Sequence, residues 1–104
     1  MNGLTCEDIC DILDDYTIIY ANLDAKGDVT LNTQYLRINP IYNQDVETLM
    51  HEFSHIWHEK YLEIHDLPED IIEYRAQEKL KTIYTCLDNY LQERTKTQVL
   101  EYEY

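Results

Sequence analysis

The spacing of hydrophobic residues changes period near residue 44. From there Val46, Leu49, Met50, Phe53, Ile56, Trp57 and Tyr61 recur at i, i+3, i+4 and i+7, which predicts one buried face of a helix. Asn43 is the expected cap, and Asp45 and Glu47 suit the positive end of the helix dipole. A second helix is expected to begin at Asp66-Leu67-Pro68-Glu69, a capping-box pattern with proline in the first turn. Its stripe, Ile72, Ala76, Leu80, Ile83, Leu87 and Leu91, carries it to about Arg94.

The first part of the chain is patterned differently. Thr5, followed by Glu7 and Asp8, caps a short helix with Ile9, Ile12 and Leu13 inward, ending near Asp15. Residues 16–23, YTIIYANL, read as a strand, and Gly27 is expected at the tight point of the turn that follows. Val29, Leu31, Thr33 and Tyr35 alternate, and then the parity shifts to Leu36 and Ile38. A bulge, or two short strands around a turn near Asn32–Gln34, accounts for the shift. Pro40 ends the extended segment. The tail from Thr97 is open between a last strand and a helical extension. The expected fold is α+β: a short N-terminal helix, a small antiparallel sheet of two to three strands, then a helix and a second long helix, all in one domain over residues 1–104.

At 104 residues, with two glycines and two prolines, the chain has room for one core and no flexible linker. No apolar run approaches the ~20 residues that span a membrane. The N-terminus, MNGLTCEDICDILDD, is acidic and does not read as a secretory signal. Cys6, Cys10 and Cys86 are an odd count without dense spacing. That argues against a disulfide scaffold and for a reducing, cytoplasmic compartment, with the cysteines as small buried apolar residues. Cys6 and Cys10 lie one helical turn apart, as a shared metal would require, but no second Cys/His pair has zinc-finger spacing. The net charge of −13 repels nucleic acid and anionic membranes. It favours cations or basic partners, and it admits an acidic inhibitor that imitates DNA.

The candidate chemistry lies in the helix that begins near residue 44. His51-Glu52-Phe53-Ser54-His55 is His-Glu-x-x-His. Residues i and i+4 are about 40° apart around a helix, so His51 and His55 reach one ion. Glu52 is offset by about 100°, which suits contact with water beside the metal, the place of a general base. His58 is about 10.5 Å along the axis from His51, too far to share its ion. It is expected as a supporting or solvated residue, with Glu59 beside it. A third protein ligand must come from elsewhere. The second helix offers Glu69, Glu73 and Glu78. Glu73 lies at the edge of the apolar stripe and is favoured, Glu69 has a place in the capping box, and Glu78 points away. Gln77 is a candidate supporting residue beside Glu73.

These residues resemble a known family. His51-Glu52-x-x-His55 with a helical Glu73 downstream is similar to the zincin metallopeptidases of the gluzincin type. Glu73-Tyr-Arg-Ala-Gln77 resembles the Glu-x-x-Ala-Asn/Asp pattern of ImmA/IrrE-like metallopeptidases of phages and mobile elements, although Arg75 and Gln77 depart from its commoner residues. The resemblance covers residues 35–80. It implies a minimal zincin-like domain with one Zn2+ per chain, Glu52 as base and hydrolysis of peptide bonds. Tyr42, Tyr61 and Tyr74 are candidate oxyanion donors. The extended segment Tyr35–Asn39 is the expected edge for a protein or peptide substrate. So small a domain leaves selectivity to a protein partner. The alternatives are the acidic inhibitor and a zincin-like binding module without catalysis.

Overall fold

A computed structural model describes residues 5–97 and 102–103, apart from the side chains of 79–82, 95–97 and 102–103. Helix α1 (Cys6–Leu13) is followed by strands β1 (Thr17–Ala21), β2 (Gly27–Thr30) and β3 (Tyr35–Ile38). A 3₁₀ turn (Pro40–Tyr42) leads into α2 (Asp45–Ile56), which continues as a π-helical turn (Trp57–Tyr61). The long α3 (Glu69–Thr97) and a two-residue strand β4 (Tyr102–Glu103) complete the chain. The architecture is α+β in the expected layout. No described helix is long and apolar enough to cross a membrane.

The strand order is β2-β3-β1-β4. β2 and β3 are antiparallel, with Asp28 opposite Arg37, whereas β1 runs parallel to β3 and to β4. The sheet is therefore mixed rather than antiparallel throughout. The composition of β1 fits its central place: Ile18, Ile19, Tyr20 and Ala21 are all buried, as in a strand covered on both faces. The parity shift between Leu31 and Leu36 is a turn between two strands, with Gln34 in the left-handed region at φ 58°. β3 lies inside the sheet, so Tyr35–Asn39 is not the exposed edge. The edge strands of the sheet are β2 and the two-residue β4, and of these β2 borders the helix that carries the histidines.

Asn39 fixes the segment before β2. Its amide donates to the carbonyls of Leu23 and Ala25, and its backbone N–H donates to Lys26. Gly27 is not at the tip of this connection but at the start of β2. A Cβ there would collide with Thr48 Cγ2 and come within 2.6 Å of the Arg37 carbonyl oxygen. The glycine is needed because β2 passes close against α2.

Thr5 caps α1 in a reciprocal box with Asp8. Asn43 does not cap α2. It adopts the left-handed conformation at φ 52°, and Gln44 precedes the helix without a side-chain cap. The core gathers Leu49, Met50, Phe53 and Ile56 of α2, Leu36 and Ile38 of β3, and Ala76, Leu87 and Leu91 of α3. Arg94 is buried at the far end, where it donates to the Leu13 carbonyl at 3.0 Å and to the Tyr16 carbonyl, meeting acceptors left at the end of α1. Cys6 and Cys86 are joined by a disulfide between α1 and α3, with Cα atoms 6.6 Å apart, and Cys10 is free. The expectation of three free thiols therefore fails for two of them. The long-range pairing rests on α3 crossing α1, which cysteine spacing does not encode.

Candidate metal centre

α2 turns its apolar stripe into the core and leaves His51 and His55 at the opposite margin. Thr48 and Glu52 lie one turn apart on the side facing β2. A cavity of about 800 Å³ opens there. Its walls include Lys26–Val29 from β2 and its approach, Thr48, His51, Glu52 and His55 from α2, and Glu69 and Glu73 from α3. One donor atom from each of His51, Glu52 and His55 falls within 4.8 Å of the others. The two imidazoles meet edge to face, with centroids 5.1 Å apart.

The carboxylates of α3 divide their work. Glu69 Oε2 lies 2.9 Å from His51 Nε2 and 3.2 Å from His55 Nε2. Glu73 Oε2 lies 2.5 Å from the other ring nitrogen, His51 Nδ1. Gln77 donates to Glu73 Oε1 at 2.8 Å, so both oxygens of Glu73 are engaged. Ligand atoms about 2.1 Å from a tetrahedral ion are about 3.4 Å apart, close to the spacing of Glu69 Oε2 from the two Nε2 atoms. His51, Glu52 and His55, with Glu69 against both imidazoles, are a group that could hold a metal ion, and Glu73 meets the other ring nitrogen of His51. The expected capping role of Glu69 is not observed. Asp66 sits in the left-handed region at φ 60°, and α3 opens on bonds from Ile71 and Ile72 to the Pro68 carbonyl. That leaves the Glu69 side chain for the histidines. Glu78 is exposed and lines no part of the cavity.

Electrostatics follow from this packing. Glu52 is 5% exposed and has no hydrogen bond among the described residues. Burial pushes its carboxyl up to about 7, against the pull of His51 and with help from Glu69, Asp28 and Glu73. Burial alone would lower His51, but the Glu73 hydrogen bond, the Glu52 charge and Glu69 outweigh it and raise the imidazole. Glu73 is opposed by burial, yet its hydrogen bonds to Gln77 and His51 and the nearby Lys26 charge lower it overall.

His58 is neither solvated nor in the cavity lining. It is fully buried, with Nδ1–H donating to the Ser54 carbonyl at 2.7 Å and Nε2 accepting from Arg75 at 2.7 Å. Those partners demand the neutral ring with its proton on Nδ1. It ties the π-helical turn to α3. Glu59, by contrast, does line the cavity. Tyr42, Tyr61 and Tyr74 do not, and Tyr61 stacks on Trp57 instead.

Lys26 and Thr48, which no motif marks, also line the cavity, and Glu69, one of the three candidate third ligands, lies against both histidines instead of in a capping box. A signal for Glu69 was present: Glu69 and Glu73 are four residues apart, as His51 and His55 are, so each helix presents a matched pair on one face. No family model, curated protein or solved structure matches this chain.

Proposed function

We propose that this chain is a zinc-dependent metallopeptidase of minimal zincin-like plan. The observation that carries the reading is Glu69 Oε2 within reach of both His51 Nε2 and His55 Nε2, with Glu52 buried beside them. In this reading His51, His55 and Glu69 hold the ion, and Glu73 keeps His51 in the tautomer that presents Nε2. When bound, zinc supplies a Lewis acid for a water molecule and a peptide carbonyl. Glu52 accepts the proton of the attacking water and delivers it to the leaving nitrogen. The outer edge of β2 receives the substrate as an added strand, in place of Tyr35–Asn39. Lys26, the lysine in the cavity wall, takes the place of the three tyrosines as donor to the developing oxyanion. The proposed location is the cytoplasm, where thiol reductants open the Cys6–Cys86 bond.

Metal analysis together with Glu52→Gln tests the proposal. One zinc per chain is expected, lost in His51→Ala; Glu52→Gln keeps zinc and loses hydrolysis of a peptide pool. Folded wild-type protein without zinc would overturn the reading. The charge of −13 supports a second one, an acidic protein that occupies a nucleic-acid-binding partner. It requires salt-sensitive binding to a basic protein that chelator leaves unchanged. Full zinc content without turnover would indicate a zincin-like binding module.

A further inference from the structure

All three cysteines of the chain meet between α1 and α3. Cys6 and Cys10 lie one turn apart on α1, and Cys86 comes from α3. Cys6 is bonded to Cys86, and the Cys10 thiol donates to Cys6 Sγ, 3.7 Å away. All three are half-buried, and Cys6 and Cys10 pack against the core. This cluster is separate from the histidine pair on α2.

Two ordinary roles fit poorly. Cys10 is a weak candidate for attack on the adjacent disulfide, because burial, with Asp14 and Asp11 nearby, pushes its thiol up to about 11. Little thiolate is present near neutral pH, so exchange is slow. Packing alone calls for apolar volume, not for three sulfurs drawn together from positions 6, 10 and 86.

We propose that, once the Cys6–Cys86 bond is reduced, Cys6, Cys10 and Cys86 form a binding site for a soft, thiophilic ion that takes three sulfur ligands. Two sulfurs about 2.3 Å from a shared ion are separated by about 3.8 Å, close to the Cys6–Cys10 spacing. Soft sulfur ligands select soft ions over the hard cations that carboxylates prefer. A dithiol reductant supplies the two electrons and two protons that turn the disulfide into two thiols. Trivalent arsenic is a suitable probe because it takes three thiols and disregards imidazole and carboxylate. In the reaction with arsenous acid three S–H and three As–O bonds break. Three As–S bonds and three water molecules form, and arsenic keeps its oxidation state. The high proton affinity of Cys10 is no obstacle, since the ion displaces the proton on binding.

The test is native mass spectrometry of the full chain, reduced, freed of reductant under anaerobic conditions and mixed with arsenite. The expected product carries one arsenic in exchange for three protons and retains no oxygen. The oxidised protein is expected to take up none. Cys10→Ser keeps the disulfide pair and is expected to lose the three-sulfur product, leaving arsenic on two sulfurs with one oxygen retained. Far-UV circular dichroism establishes that this variant is folded. Cys86→Ser is a second variant with the same expected loss. An oxygen-retaining adduct in reduced wild type would overturn the proposal. So would no uptake by that protein, equal uptake by the oxidised protein, or unchanged uptake by folded Cys10→Ser.

Discussion

Glu73 meets His51 at Nδ1, whereas Glu69 meets it at Nε2 and also reaches His55. This contact separates two carboxylates that lie one turn apart on α3 and look alike in sequence. Glu73→Ala is expected to lower zinc affinity about 10- to 100-fold, as loss of an orienting carboxylate does. In the proposed zinc site Glu69→Ala is expected to cost more, because it removes the carboxylate that lies against both histidines. Competition with a zinc-binding dye ranks the two. The reverse order would return Glu73 to the role of ligand.

Glu52 predicts a distinctive pH dependence in the zinc-free protein. Its carboxyl is raised from 4.5 to about 7 by burial, so folding favours the protonated form. The stability from that shift is fully present below the unfolded value and is lost as pH rises through the folded value. Glu52→Gln abolishes this loss. Relative to wild type, the variant is expected to gain about 3 kcal/mol between about pH 4 and about pH 8. Urea unfolding in the presence of chelator measures it, and a pH-independent difference would refute the assignment.

Gly27 holds β2 against α2. Gly27→Ala is expected to destabilise the protein by about 1–3 kcal/mol, since a Cβ there meets Thr48 Cγ2 and the Arg37 carbonyl. Thr48→Ser removes the methyl group and is expected to recover part of the loss, which a double-mutant cycle detects. Simple additivity would mean that the strand and helix do not meet at this point.

Arg94 joins α3 to the end of α1 through the carbonyls of Leu13 and Tyr16. Arg94→Met keeps much of the side-chain volume and removes the donors. A cost of about 3 kcal/mol is expected, the scale of lost charged hydrogen bonds to buried acceptors. Chemical denaturation reads it. A cost near zero would show that water satisfies those carbonyls equally well.

The α+β layout, the inward faces of α2 up to Ile56 and of α3 at Ile72, Ala76, Leu87 and Leu91, and the pairing of His51 with His55 were legible in the sequence. Each depends on local periodicity: a helix fixes which residues share a face whatever it packs against. Tyr61, expected on the buried face, is instead exposed, and the Leu80 side chain lies outside the described residues. The strand order was not legible, because β1 finds β3 across an intervening strand. His58 was expected as a supporting or solvated residue, yet it is buried in the π-helical turn against Arg75. The roles of Glu69 and Glu73 depended on how α3 is rotated and shifted along α2. The pairing of Cys6 with Cys86 depended on where α3 crosses α1. Such relations are set by packing between elements distant in sequence, so only the tertiary structure decided them. What the sequence determined by itself was the chemistry on each element; the fold decided which of those groups meet.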